Sequence, residues 1–462
     1  MSAVFSFSRA RRASLLAAWN LRGGVHLSAF VGAFVGAAAV VLYGLRSYAF
    51  NDYEFETLAA AQRLLAGDLS GFLERLSAYG GATLLQAPAM LAGAALGGEG
   101  TYAAHQDLSA YRASAAPGLV LSAVLAMVLV RRLRLGEGAL AAGWAFVTAA
   151  LVVGSPVAVL AAEAGHPEEA LVVALALAAV LLAAADRPLL AAALVGLAAA
   201  AKPWALIAVP VVLCATADRR TLLRQLVVCA VAGGALLAPI LAAQHGHRDV
   251  AAPLQSTTAG IFKPDNLFWF AGERNPRWSA TPQARQGGVQ VHDARPEDKI
   301  FAQRLEPSWV GRVSHPAIVL AAVVLALIYL RRRPPADRGD DLLLLLAAVC
   351  WWRCLLDSWN ASYYAFGAVG ALVAWQAWRG RPPILGLVLA LAVWVMFRVL
   401  PGDVFTPDRH TAVYLAWAVP AGILMVARLL APERVGGLAG RVGRPLVGRL
   451  PTLARIAGAP AR

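Results

Sequence analysis

Residues 25–45 read VHLSAFVGAFVGAAAVVLYGL, a run without a single charged side chain. About 20 apolar residues in a helix cross a ~30 Å hydrocarbon core, so the run is predicted to span a membrane. It follows a basic start, MSAVFSFSRARRAS, but no small-residue cleavage site closes it, and it reads as a span rather than a leader. Comparable runs recur as far as residue 430. Of the 462 residues 59% are hydrophobic and 15% charged, against about 25% charged in soluble domains. The fold class is therefore all-α and polytopic.

The net charge of +14 does not point to nucleic acid, because the basic residues fall in short clusters between apolar runs. They are Arg9, Arg11, Arg12 and Arg22, then RRLR (131–134), DRRTLLR (218–224), RRRPPADR (331–338), RGR (379–381) and a tail after Arg428. The positive-inside rule places all of them in the cytoplasm. Spans are predicted at 25–45, 117–131, 139–161, 169–185, 222–243, 316–331, 341–357, 362–378, 383–400 and 411–429. Two shorter runs, 188–201 and 203–215, flank a break at Lys202-Pro203, giving about 12 segments. Residues 81–97 are apolar too, but a full crossing there would put RRLR outside, so they are predicted to dip into or pack on the outer face. The division is a basic cytoplasmic start (1–24), a transmembrane domain (25–430) with long outer loops at 46–116 and 244–315, and a basic cytoplasmic tail (431–462) suited to anionic headgroups. The four cysteines lie in apolar runs without ligand spacing and read as small core residues.

Directly after the first span comes YAFNDYEFE (48–56). Asn51 and Glu54 have the spacing of an N-cap and its N3 partner, and acids suit a helix N-terminus. Asp52 and Glu56, one turn apart, have no such task. In EAGHPEE (163–169) the acids again suit a helix start, with Pro167 ahead of them, while His166 is left over. Lys202 is the one lysine inside the apolar runs, and a charge at bilayer depth costs ~2.5–3.5 kcal/mol unless it lines a cavity or reaches water. WWRCLLDSWNASYY (351–364) carries Arg353, Asp357, Asn360, Tyr363 and Tyr364 at helical spacing. An Arg353–Asp357 ion pair within an aromatic belt is the plainer account of that pair. Asn360-Ala361-Ser362 matches a glycosylation sequon but abuts the next span.

In order and placement these motifs resemble the GT-C class of integral-membrane glycosyltransferases, most closely the actinobacterial polyprenyl-phosphate-mannose-dependent mannosyltransferases. The resemblance covers about residues 25–430 and rests on NDYEFE, AYGGATLLQAP (78–88), AGHPEE (164–169), KPWAL (202–206) and LLDSWNASYY (355–364). It implies a GT-C-like bundle, a lipid-linked donor entering from the bilayer, and an acidic base early in the first outer loop, which maps to Asp52. Relatives carry a DPWN-like form of 357–360; Ser358 stands here in place of the proline, which points to a different turn.

The implied reaction is inverting transfer of a sugar, mannose by resemblance, from polyprenyl phosphate to a glycolipid or glycan hydroxyl at the extracytoplasmic face of the cell membrane. Lys202, Arg353 and His166 are the expected donor-phosphate contacts. Glu56, Glu168, Trp204, Asp357, Asn360, Tyr363 and Tyr364 are the expected substrate contacts. The scheme requires no metal or other cofactor, although an acid-rich loop leaves a divalent ion open. Two rivals remain: a transporter or flippase of a lipid-linked or anionic substrate, favoured by Lys202 at the broken helix, and a non-catalytic scaffold.

Overall fold

The computed structural model describes residues 23–49, 51–76, 80–97, 103–134, 138–244, 262–275, 303–332, 338–400 and 405–431. The basic start, the basic tail and most of the 244–315 loop lie outside them. The described chain is almost wholly helical; its one pair of strands is the two-residue ladder of Glu273–Arg274 with Arg304–Leu305. Six helices are long and apolar enough to cross a membrane: Gly24–Gly44, Asp107–Val130, Ala139–Glu163, Arg219–Ala243, Val310–Arg332 and Pro407–Leu430. The chain is a multi-pass membrane protein. Shorter apolar helices lie at Gly80–Leu96, Pro188–Ala201, Pro203–Leu213, Phe366–Trp378 and Ile384–Val399.

The long helices keep much apolar surface outward, as a bilayer permits. Leu223, Val231, Phe30, Phe34 and Leu42 are all exposed. At the centre lies the opposite case. Glu168–Ala184 is buried along nearly its whole length, packed by Pro188–Ala201, Ala116–Val130, Arg338–Leu356 and Phe366–Trp378. Without a hydrophobic drive in lipid, close backbone approach carries such packing. Gly32 and Gly36 provide it where the first helix meets Ala139–Gly154: a Cβ at Gly32 would fall 2.3 Å from the Phe146 carbonyl oxygen.

The segment 46–116 folds into helices Asp52–Glu56, Leu58–Leu65, Leu69–Glu74, Gly80–Leu96 and Ala103–Ser114. Its alternation of apolar and polar residues, as in LAAAQRLL, is helix-period amphipathicity, which burial of Ala60, Ala61 and Leu64 satisfies. The span predicted at 117–131 starts earlier, within Asp107–Val130.

The break at Lys202-Pro203 is as expected. Proline disfavours helical backbone in the residue before it, and Lys202 is extended at φ −150, ψ 124, between Pro188–Ala201 and the 3-10 turn Pro203–Ile207. Its side chain thereby leaves the helix axis and enters the polar centre described next.

Candidate functional site

Asn51 caps Asp52–Glu56 as expected, accepting from the Glu54 N–H at 3.4 Å, and its Nδ2 donates to Tyr111 Oη at 3.3 Å. The cap fixes where Asp52 begins its helix. The turn that brings His166 onto Asp52 depends on Gly165, at φ +90, a left-handed conformation glycine adopts without penalty. A Cβ there would lie 2.5 Å from the Tyr53 nitrogen and 2.8 Å from that of Asp52. With no Cβ, the Asp52 N–H reaches the Ala164 carbonyl at 3.1 Å.

The two turns now share a buried ionic centre. His166 Nε2 lies 2.8 Å from Asp52 Oδ2 and Nδ1 lies 2.8 Å from Glu168 Oε1. Carboxylate oxygens accept, so both ring nitrogens act as donors and the ring is an imidazolium. Burial and the Lys202 ammonium oppose that charge, but Glu168 and the Asp52 hydrogen bond outweigh them and raise the pKa to about 9. Lys202 Nζ is 2.7 Å from Glu168 Oε1 and 2.8 Å from Glu169 Oε1.

From there the contacts close a ring. Trp204 Nε1 donates to Glu169 Oε2 at 3.1 Å, and its indole lies 5.1 Å from the Arg353 guanidinium carbon. Arg353 stacks at 3.9 Å on Tyr364, Tyr364 meets Tyr363 edge-on at 5.1 Å, and Tyr363 lies 4.6 Å from His166. Asp52, His166, Glu168, Lys202, Trp204, Arg353, Tyr363 and Tyr364, distant in sequence, thus form one connected site. Glu56 is half-buried beside it; burial raises its carboxyl pKa, while His166 pulls it back.

Several of the expected site residues are engaged by the protein itself. His166 spends both nitrogens on carboxylates, and Lys202 is neutralised by two glutamates. Both brace the acids. Glu168 is held by Lys202 and His166. Asn360 gives its Nδ2 to the Asp265 carbonyl at 2.6 Å and to Tyr414 Oη at 3.3 Å, spending both hydrogens on the protein. The Arg353–Asp357 ion pair does not form among the described residues; Asp357 Oδ1 instead accepts from the Trp359 N–H at 3.0 Å. Arg353 is buried between aromatic faces, with Asp357 and Glu169 acting on it electrostatically but no carboxylate within ion-pair distance among the described residues, and it is the expected phosphate contact whose donors the described residues do not consume.

Two site residues escaped the sequence reading. Glu169 passed as helix-start chemistry although it shares Lys202. Lys263, whose ammonium feels Asp52 and Asp357, sits in the aperiodic second loop. Its signal was rarity: only three lysines stand among 41 basic residues.

No group of three or more His, Cys, Asp and Glu among the described residues is arranged to hold a metal ion. No family model, curated protein or solved structure matches the chain.

The raised imidazolium pKa has a consequence for stability. A folded value of about 9 against an ordinary 6.5 stabilises the fold fully below pH ~6.5, and the contribution is lost as pH rises through 9. Melting of the wild type is expected to fall more steeply between pH 7 and 10 than that of His166→Gln. Lys263 titrates in the same window in both proteins, so the difference between their curves isolates the histidine.

Proposed function

We propose that the chain is a polyprenyl-phosphate-dependent glycosyltransferase whose site faces the extracytoplasmic side of the cell membrane. The carrying observation is the buried Asp52 carboxylate, held at 2.8 Å by His166 in the same ring of contacts as a buried Arg353 that makes no close carboxylate ion pair among the described residues. A charge-oriented base and an unspent cation are what displacement at a phosphate-activated sugar requires. The acceptor hydroxyl attacks C1 opposite the phosphate, and its proton passes to Asp52 as the new C–O bond forms. The bonding pair of the breaking C1–O bond stays on the phosphate oxygen, and the anomeric centre inverts. Arg353 holds the charge the donor phosphate already carries, presenting a planar fork of donors suited to phosphate oxygens.

His166 and Glu168 set the orientation of Asp52, and Lys202 offsets Glu168 and Glu169. Tyr363, Tyr364 and Trp204 supply flat faces on which a sugar packs. The arginine clusters, taken by the positive-inside rule, support the outward orientation, and the resemblance to mannosyltransferases supports mannose as the sugar.

The test is the response of transfer to Arg353. In lipid nanodiscs with radiolabelled polyprenyl-phosphate-mannose and a membrane glycolipid extract, Arg353→Met is expected to raise the donor KM roughly tenfold or more. Arg353→Lys, which keeps charge but loses the fork and the stacking, should recover only part. An unchanged KM and rate in a folded Arg353→Met protein contradicts the phosphate assignment. The transporter alternative, supported by the ionisable residue at a broken helix, instead expects labelled donor to cross sealed proteoliposomes intact.

A further inference from the structure

Residues 262–275, a described part of the second loop, are fastened to the ends of two helices. Their pivot is Asp265, at φ +72, one of two non-glycine residues with positive φ among those described. Aspartate tolerates that region better than most residues, and three contacts hold it there. Its N–H donates to Thr411 Oγ1 at 2.9 Å, its carbonyl accepts from Asn360 at 2.6 Å, and its carboxylate accepts from His410 Nδ1 at 2.8 Å. Beside it, the Leu267 N–H donates to the Leu355 carbonyl at 2.9 Å, and Asn266 Nδ2 donates to the Lys263 carbonyl at 2.8 Å. The backbone from Lys263 to Leu267 is thus clamped over the 355–360 turn.

The clamp places Lys263. Its Nζ sits 4.1 Å from the centroid of the Trp359 ring, a cation–π contact that leaves the ammonium hydrogens unspent on any carboxylate. No ion pair or side-chain hydrogen bond engages that ammonium among the described residues. Burial lowers its pKa to about 8, while Asp52 and Asp357 pull it back up, so the amine is cationic at neutral pH and lies within electrostatic range of the base. Lys202 is the contrast: two glutamates already hold it.

Transfer changes the charge of the donor's phosphate. A sugar phosphodiester carries one negative charge, and the released polyprenyl monophosphate gains a second when the C1–O pair stays with it. Arg353 matches the first charge only.

We propose that Lys263 is the cation that meets the second charge, a substrate-contacting residue carried into the site by the outer loop, with Asp265 as the positioning residue that sets it there. This assignment rests on the transferase function proposed above. A group that answers charge formed during the reaction strengthens the transition state more than the ground state, so its loss falls on kcat before KM.

The experiment measures transfer kinetics and binding of polyprenyl phosphate in nanodiscs for wild type, Lys263→Met, Lys263→Gln, Lys263→Arg, Asp265→Ala and Asp265→Asn. Both neutral Lys263 variants are expected to lose roughly tenfold or more in kcat and in polyprenyl phosphate affinity, with donor KM changed less. Lys263→Arg should stay within a few-fold of wild type. Asp265→Ala should follow the neutral variants, and Asp265→Asn, which tolerates the left-handed backbone and keeps an acceptor, should recover most of the loss. Neutral Lys263 variants that turn over and bind polyprenyl phosphate as the wild type does overturn the proposal and leave the transferase function standing. A wild type that neither transfers sugar nor binds polyprenyl phosphate removes both.

Discussion

Asp52→Asn is expected to lower sugar transfer by roughly 10²–10⁴-fold, the range that a positioned general base contributes, while the protein stays folded. The amide keeps the size of the carboxylate and can still accept from His166 Nε2 through its oxygen, so the 2.8 Å contact survives. What it loses is the ability to take the acceptor's proton. The effect should fall on kcat with donor KM nearly unchanged, because Asp52 makes no contact with the phosphate in the scheme. Kinetics in nanodiscs beside a melting curve check both halves. Wild-type rates in the variant would move the base to another acid, with Glu56, one turn along the same short helix, the first to examine.

Lys202→Met is expected to cost about 3–5 kcal/mol of stability, the range for removing one partner of a buried ion pair. Methionine keeps much of the chain length, so little of the loss is packing. The cost comes from Glu168 and Glu169, which lose partners at 2.7 and 2.8 Å in a buried setting. Glu168 retains His166; Glu169 retains the Trp204 indole N–H. Neutralising the more deeply buried of these two glutamates should restore part of the loss, so Lys202→Met combined with Glu169→Gln should be less destabilised than the sum of the single changes. Thermal melting of the purified proteins in one detergent gives the comparison. Additive losses would show that Lys202 and Glu169 act independently despite their contact.

The sequence made visible those features that are local in cause. Charge-free runs marked helices in lipid, Pro203 marked the break, and Asn51 with Glu54 marked a helix start. Asp52, His166 and Lys202 stood out because no local structural rule needed them, and the fold brings them together. What the sequence hid was how charges cancel. Glu168 and Glu169 look like ordinary first-turn acids, and only the break after Ala201, folded back against them, turns them into the partners of Lys202. Asn360 looked outward from a polar turn, yet its amide is used by the Asp265 carbonyl some 95 positions away in the chain. Lys263 lies in a segment with no periodicity to assign it a face, so its approach to Asp52 exists only in three dimensions.

The central claim is that this chain cuts a sugar from polyprenyl phosphate and joins it to an acceptor. The measurement that tests it most directly follows a donor labelled in both the sugar and the phosphate, incubated with wild-type protein and membrane glycolipids. The account expects the sugar label to move to the acceptor while an equal amount of phosphate label remains as polyprenyl phosphate, and it expects neither change with Asp52→Asn. Two labels that stay together, whether the donor crosses the bilayer or remains where it was, would contradict it.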